Sequence, residues 1–410
     1  MSTTSPVDLQ DERLIAEGGV IGRLSHLWSR VRTGDLGSLP VVIGLVVIWG
    51  VFATANENFL TPRNMTNLAL QSVAVGTIAI GVVLVLLLGE IDLSVGSVSG
   101  LAAAVLAVLL VNQEMNLFVA IAAGILSGTA VGLFYGVVYT RFGVPSFVIS
   151  LAGLLAVLGL QLQVLGEDGA INIPFSSGLV QYFQKFLPET LSYVLCVVVV
   201  AAIAGFNWFQ ASRRRAAGLS GRSNLDIALG AGLLLLALVV PTLVFNQYRG
   251  VPVPFVVFVV MVAVTNLALQ RTRWGRSVYA VGGNVEAARR AGIAVRRVYI
   301  SVFMLTATFA AIGGVLAAGK LNAANQSSGT GDTNLNAIAA AVIGGTSLFG
   351  GRGSAYSALL GMLVIGSISN GLALLNLDSP VRFMITGGVL LAAVTIDSIA
   401  RRTRKASGRE

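Results

Sequence analysis

The chain has 410 residues, 55% of them hydrophobic and 11% charged, with a formal net charge of +9 and a mean hydropathy of +0.83. Soluble domains carry about 25% charged residues, so the composition excludes that class and indicates a polytopic membrane protein. The positive charge calls for no nucleic-acid partner, because orientation against an anionic inner leaflet accounts for it.

Residues 1–38 form a tail in which Val20, Leu24, Leu27, Trp28 and Val31 recur at helical spacing, with Arg23, Arg30 and Arg32 elsewhere on the turn. This pattern predicts an amphipathic helix lying on the inner surface, with a disordered tail as the alternative. His26, the single histidine, lies within it, and no catalytic role is expected of it. The tail has no compact basic start, apolar core and small-residue cleavage site, so the first apolar run is expected to stay attached.

Apolar runs follow at 39–55, 66–89, 93–112, 117–140, 144–165, 189–208, 225–245, 252–270, 298–319, 335–350, 354–375 and 380–398. Each is close to the roughly 20 residues that span a bilayer. The expected fold is therefore all-α, a membrane domain over 39–398 with about 10–12 transmembrane helices, some discontinuous. Runs 39–55 and 335–350 are short, and the second, rich in Gly and Ala, is a candidate broken or re-entrant segment. With the N-terminus inside, twelve crossings put every basic residue inside except Arg63, Lys185, Arg249, Lys320 and Arg382, as the positive-inside rule requires. That topology makes both termini, the loop 271–297 and the basic tail 399–410 cytoplasmic.

The second run opens with Thr61 as N-cap and Pro62 at the first helical position. Asn64, Asn67 and Gln71 then share one stripe. Polar groups in lipid are costly, so the stripe is expected either to face a wet pathway or to bond a partner helix. The run ends in Gly89-Glu90-Ile91-Asp92-Leu93-Ser94-Val95-Gly96-Ser97, two carboxylates with no basic residue nearby. Asp92 or Ser94 is expected to cap the next helix, where Gly96, Gly100 and Ala104 recur every fourth residue and permit close helix packing. One cap needs one acid, which leaves Glu90 to line an inner gate or to orient the break. Two carboxylates alone give too few ligands for a metal.

Residues 166–188 form an outer loop long enough to meet an extracellular partner, joined on that face by Gly329-Thr330-Gly331-Asp332-Thr333. Cys196, the one cysteine, sits in an apolar run and supports neither a disulfide nor a thiolate metal site. The basic loop at 211–222 reads as an orientation signal.

Residues 282–293 read as a complete miniature helix. Asn284 is the N-cap, Glu286 places a negative charge on the first turn, Arg289 and Arg290 place positive charge on the last, and Gly292 follows the end. About two turns cannot repay the cost of nucleation, so the helix needs a docking partner. Ile343-Gly344-Gly345-Thr346-Ser347-Leu348-Phe349-Gly350-Gly351-Arg352-Gly353-Ser354 is a glycine-rich turn without the Gly-Lys-Ser/Thr ending of a nucleotide loop. Its terminal Gly-Ser matches Gly96-Ser97 and makes an internal repeat a candidate.

Residues 59–97, 275–293 and 329–371 resemble the permease subunits of binding-protein-dependent ABC importers for ribose, xylose and galactose. The resemblance is carried by the Gly89 to Ser97 run, the loop from Tyr279 to Gly292, and Ala337-Ile338-Ala339-Ala340 followed by Ile343-Gly344-Gly345-Thr346-Ser347-Leu348. It covers most of the chain from residue 40 onward. The tail and the stretch 170–250 are similar in length to the xylose type, which points to a pentose. Glu90 stands where a glycine is commoner, and Asn336 where an acid is commoner.

The resemblance implies a non-enzymatic transport subunit of the bacterial cytoplasmic membrane that pairs with a second copy and receives sugar from an extracytoplasmic binding protein. A separate cytoplasmic ATPase would hold ATP and Mg, with no cofactor or metal on this chain. It implies ATPase-coupling roles for Asn284, Glu286, Ala287, Arg289, Arg290 and Gly292. Pathway or gate roles fall on Asn67, Gln71, Glu90, Asp92, Ser94, Asn336, Thr346 and Ser347. The competing reading is a proton- or cation-coupled secondary transporter using Glu90 and Asp92. An intramembrane enzyme lacks a nucleophile-plus-base constellation.

Overall fold

The computed structural model describes residues 39–378 except 168, 220 and 222, together with 380, 381, 383–388, 391 and 395. The expected surface helix around His26, most of the run 380–398 and the tail 399–410 lie outside the described residues. Backbone groups in a bilayer must be satisfied within each segment. The described residues accordingly fold almost entirely as helices, nine of them long and apolar enough to cross a membrane. They fall into two compact units, one of residues 186–251 and one of residues 39–185 with those from 252 onward.

The smaller unit is an antiparallel pair, α7 (Glu189–Ala216) and α8 (Asn224–Asn246). Asn246 Nδ2 donates to Ser192 Oγ at 3.1 Å, and Cys196 Sγ lies 3.4 Å from Thr242 Oγ1, so the cysteine is a packing residue. Arg249 stacks over the Phe186 ring at 4.5 Å.

The larger unit begins with α1 (Leu39–Ala55), α2 (Pro62–Leu87) and α3 (Val95–Ala107), the last continued by a π-helical turn over Val108–Asn112. After α4 (Leu117–Phe142) and α5 (Ser146–Leu165) come the strand β1 (Ala170–Asn172) and the short helix α6 (Gly178–Tyr182). It resumes with α9 (Val253–Arg271), α10 (Arg273–Gly283), α11 (Val285–Arg290) and α12 (Val295–Leu321), then the strand β2 (Ala323–Asn325), α13 (Thr333–Ile343) and α14 (Tyr356–Leu374).

Helix α2 is the centre of this unit and packs against α9, α12, α13 and α14. It starts as its residues dictate, with Thr61 accepting the Asn64 N–H and Pro62 at the first position. Ile78, Ile80, Leu84, Leu86 and Leu87 along it are fully buried. Helix α4 meets α12 through Gly128, Gly132 and Gly136, a side chain at Gly128 lying 2.6 Å from Ala311 Cβ and one at Gly136 lying 2.7 Å from Ile300 Cα. Without a hydrophobic drive between helices in lipid, such close backbone approach supplies the packing. At the far end, β1 pairs antiparallel with β2, Ile171 opposite Ala324. Ile171, Ile173, Leu179, Val180 and Ala324 form a small apolar cluster there with Leu106 and Val315.

The run 335–350 does not cross as one helix. Its helical part, α13, has 11 residues, about 16 Å of rise, or half of a hydrocarbon core about 30 Å thick. Asn334 Nδ2 donates to Leu93 O at 2.6 Å, which fixes the start of α13 beside the start of α3. Ser97 Oγ of α3 donates to Leu154 O, and Leu154 lies eight residues along α5, about 12 Å from its beginning. Both α3 and α13 therefore begin within the depth that α5 spans, and the loop 326–332 leads into α13. Gly96 and Gly100, expected to admit a helix, admit this loop: a side chain at Gly96 would meet Gly329, and one at Gly100 would meet Ser328 and Gln161. Gly329 is drawn against α3, while Gln326 N–H at the start of the same loop donates to Gly169 O at 3.0 Å, so this loop also meets the segment 166–188.

Gly132→Leu is expected to lower the thermal midpoint of the detergent-solubilised protein by several degrees, since overpacking costs about 1–3 kcal/mol. Leu126→Val, on the exposed face of the same helix, leaves that thermal midpoint unchanged in the same detergent.

Candidate functional site

The loop after α9 folds as two short helices. Helix α10 is held by its apolar face, with Val278 and Val281 buried and Trp274 Nε1 donating to Ser301 Oγ at 2.8 Å. Helix α11 follows the pattern of its residues: Asn284 Oδ1 accepts the Ala287 N–H at 2.9 Å, and Glu286 pairs with Arg289 at 2.7 Å. Glu286, Ala287, Arg289 and Arg290 are exposed while Ala288 is buried. Gly292 has φ +79°, the left-handed conformation that a β-branched residue resists. An exposed ion pair contributes about 0–1 kcal/mol, so the Glu286–Arg289 pair adds little and α11 is held by its anchorage. A groove of about 450 Å³ beside it is lined by Trp274, Ser277, Gly292, Ile293, Arg297 and Ser301.

That anchorage joins three motifs far apart in the chain. Gly351 N–H donates to Leu87 O, the end of α2, at 2.8 Å. A side chain at Gly282 would collide with Leu87 O and lie 2.9 Å from Gly351 N; one at Gly350 would lie 2.7 Å from Gly282 O and 2.9 Å from Gly89 N. Tyr279 Oη donates to Gly353 O at 2.8 Å. Burial pushes the Tyr279 phenol above its ordinary value, so it remains a donor at physiological pH. Thr346 is buried against Gly353, while Ser347 Oγ accepts the Phe349 N–H at 3.2 Å and Ser347 N–H donates to Arg352 O at 3.0 Å. Both side chains sit within the turn itself.

The carboxylates of the Gly89 to Ser97 run have separate settings. Glu90 accepts Tyr139 Oη and Ser146 Oγ, each at 2.5 Å, which ties the turn after α2 to α4 and α5. Asp92 is 1% exposed, and its Oδ1 accepts both the N–H and the hydroxyl of Ser94, at 2.8 and 2.7 Å. Neither residue makes the expected cap. Ser94 is the N-cap of α3, but its hydroxyl is given to Asp92 and makes no cap bond. Asp92 closes the turn before the helix instead.

The amide stripe on α2 divides. Asn64 and Asn370 of α14 exchange two hydrogen bonds at 2.8 and 3.0 Å, both buried. Asn67 and Gln71 are exposed, one turn apart, on the face that also exposes Arg63. Much of the exposed surface of the other spans is apolar, as at Leu126, Phe134, Leu155 and Val264, with single polar residues such as Gln163 and Gln270 near helix ends. A polar strip on the most buried helix therefore faces something other than lipid. Asn336, on the first turn of α13, donates to Asp332 Oδ2 at 3.0 Å. Tyr139, Ser146 and Asn370 hold these groups, and no local spacing marks them, because each partner lies on another helix.

The described residues thus form a polytopic helical bundle with an exposed short helix beside the end of its central span and a polar strip on that span, an architecture that suits a membrane permease. The chain belongs to the family described as branched-chain amino acid transport system / permease component, whose profile matches residues 64–394. It is 33% identical to the xylose transport system permease protein XylH of Escherichia coli over 92% of this chain and 95% of that protein. The ribose import permease protein RbsC of Escherichia coli is 31% identical, over 87% of this chain and 92% of its own length. The L-arabinose ABC transporter permease protein AraH of Azospirillum brasilense is 31% identical over 89% of each. No solved structure matches.

Asn64→Leu leaves Asn370 unpaired in an apolar setting and is expected to destabilise the protein by about 1–2 kcal/mol. The double variant Asn64→Leu with Asn370→Leu recovers part of that loss, which a double-mutant cycle on thermal midpoints reads directly.

Proposed function

We propose that this chain is the transmembrane subunit of an ATP-driven, binding-protein-dependent importer of a pentose such as xylose. The observation that carries the reading is the backbone junction of Gly282, Leu87 and Gly351. It ties α11 to the end of α2, the helix that exposes Asn67 and Gln71. The family membership and the xylose, ribose and arabinose permeases among its relatives support a sugar, and specifically a five-carbon one.

On this reading two copies face each other across Asn67 and Gln71 in the bacterial cytoplasmic membrane, with both termini inside. Sugar arrives from an extracytoplasmic binding protein. ATP and Mg reside on a separate ATPase seated on α11 and its groove, with Glu286, Arg289 and Arg290 as polar contacts, Ala287 as the flat contact, and Asn284 and Gly292 fixing the helix ends. ATP-driven closure draws the two α11 helices together and turns α2 with them, a rigid-body change of the kind packed interfaces support. Glu90, Thr346 and Ser347 brace the gate at the inner ends of the moving helices, and Asp92, Ser94 and Asn336 line it deeper in the membrane, where α3 and α13 begin. The ion-coupled alternative finds Glu90 already engaged by two hydroxyls.

Vesicles carrying the chain with its cognate ATPase and binding protein test this. Uptake should require ATP, survive collapse of the proton gradient and favour pentoses over hexoses. Glu286→Arg combined with Gly292→Val should reduce both uptake and stimulated ATPase activity at least tenfold at unchanged protein level, and normal values would overturn the coupling assignment. Gln71→Cys should form a disulfide between two copies under mild oxidation; a strictly monomeric product would remove the paired pathway.

A further inference from the structure

The start of α3 and the start of α13 meet inside the membrane, and the polar groups gathered there are not satisfied by one another. Asp92 Oδ2, Tyr135 Oη and Asn334 Oδ1 are buried without a hydrogen-bond partner, as is Gln161 Oε1 beside Gly100. Tyr135, from α4, faces Ser94 and Asp92, its hydroxyl seated in the notch left by Gly153. Asn334 reaches the same turn from α13 through its bond to Leu93 O. The N-caps of both helices, Ser94 and Asp332, make no side-chain cap bond, so the first-turn N–H groups at these two helix starts have no side-chain acceptor from their own cap.

An unsatisfied polar group in a bilayer is strongly unfavourable, and here donors and acceptors are mixed. A cation would face two helix N-termini, each carrying a positive partial charge. An anion would face Asp92. A sugar exceeds the space, since Gly96 is already closed by Gly329 and Gly153 by Tyr135. Water donates and accepts, and fits a cavity of its own size given two to four polar partners.

We propose that water is bound here as an integral ligand, bridging Asp92 Oδ2, Tyr135 Oη and Asn334 Oδ1 between the first turns of α3 and α13. Such bridging water bonds equally well at several spacings, so α13 can shift against α3 without leaving a polar group bare. The site is independent of the coupling helix and of the identity of the transported sugar.

Radiolytic hydroxyl-radical labelling of the intact protein in detergent, read by mass spectrometry, tests the proposal, because radicals form where water is bound. Tyr135, 3% exposed, should be oxidised at least tenfold faster than Phe258 and Phe303, which are 0% and 1% exposed in apolar surroundings. Rates equal to those of the two phenylalanines would overturn the proposal. After rapid mixing into water enriched in oxygen-18, Tyr135 should first incorporate the original isotope, since enclosed water exchanges slowly; immediate uptake of the heavy isotope would mean an open path and would overturn an enclosed site. Asp92→Leu should reduce the Tyr135 rate to that of the phenylalanines. Should that variant fail to fold, Asp92→Asn, which keeps the side-chain shape, should retain labelling of Tyr135, and its loss there would count against a water bridge that needs only an acceptor oxygen.

Discussion

The hydrogen bond from Gly351 N–H to Leu87 O, with Gly282 and Gly350 packed around it, is the contact on which the rest of the structure depends. Backbone against backbone leaves no rotamers to absorb a displacement. Motion of α10 and α11 must therefore appear at the end of α2. That helix packs on α9, α12, α13 and α14, so a rigid tilt of it is shared by most of the larger unit. The glycines at this point are small because three chain segments converge on one spot, and any side chain would hold them apart.

The second constraint is the bilayer itself, which forbids exposed backbone and punishes lone polar groups. The chain answers it in two ways. Where helices run the full depth, glycines on α4 let backbones approach and the lipid-facing side chains are apolar. Where a helix stops short, as α13 does, the irregular segment 326–332 is laid against α3, and Gln161 Nε2 donates to Asn325 O and Ser328 O at 3.0 Å. Irregular backbone at this depth is tolerated because protein, not lipid, surrounds it. The same logic assigns Glu90, whose carboxylate is held by two hydroxyls, a bracing role at the turn between α2 and α3.

Much of this was legible in the residues. Apolar runs marked the helices, Thr61 and Pro62 marked where α2 begins, and Asn284 with Gly292 marked both ends of α11. The glycines of α4 at four-residue spacing carried a packing signal too, readable beside that of Gly96 and Gly100. The capping of α3 is not legible in the residues, because Asp92 takes up both the N–H and the hydroxyl of Ser94 before either side chain can reach the first turn. The shortness of α13 is signalled by the Gly- and Ala-rich run 335–350, but its position is not: only Asn334 bound to Leu93 O places its start beside that of α3.

Sequence by itself determined which segments are helical, where α2 begins and where α11 begins and ends, because these follow from hydropathy and from hydrogen bonds within a few residues. Tertiary structure alone decided what the polar side chains do. Asn64 and Asn370, 306 residues apart, become a bonded pair, while Asn67, on the same stripe, stays exposed. Spacing along a helix fixes only the direction in which a side chain points; what it meets there is set by how distant helices pack.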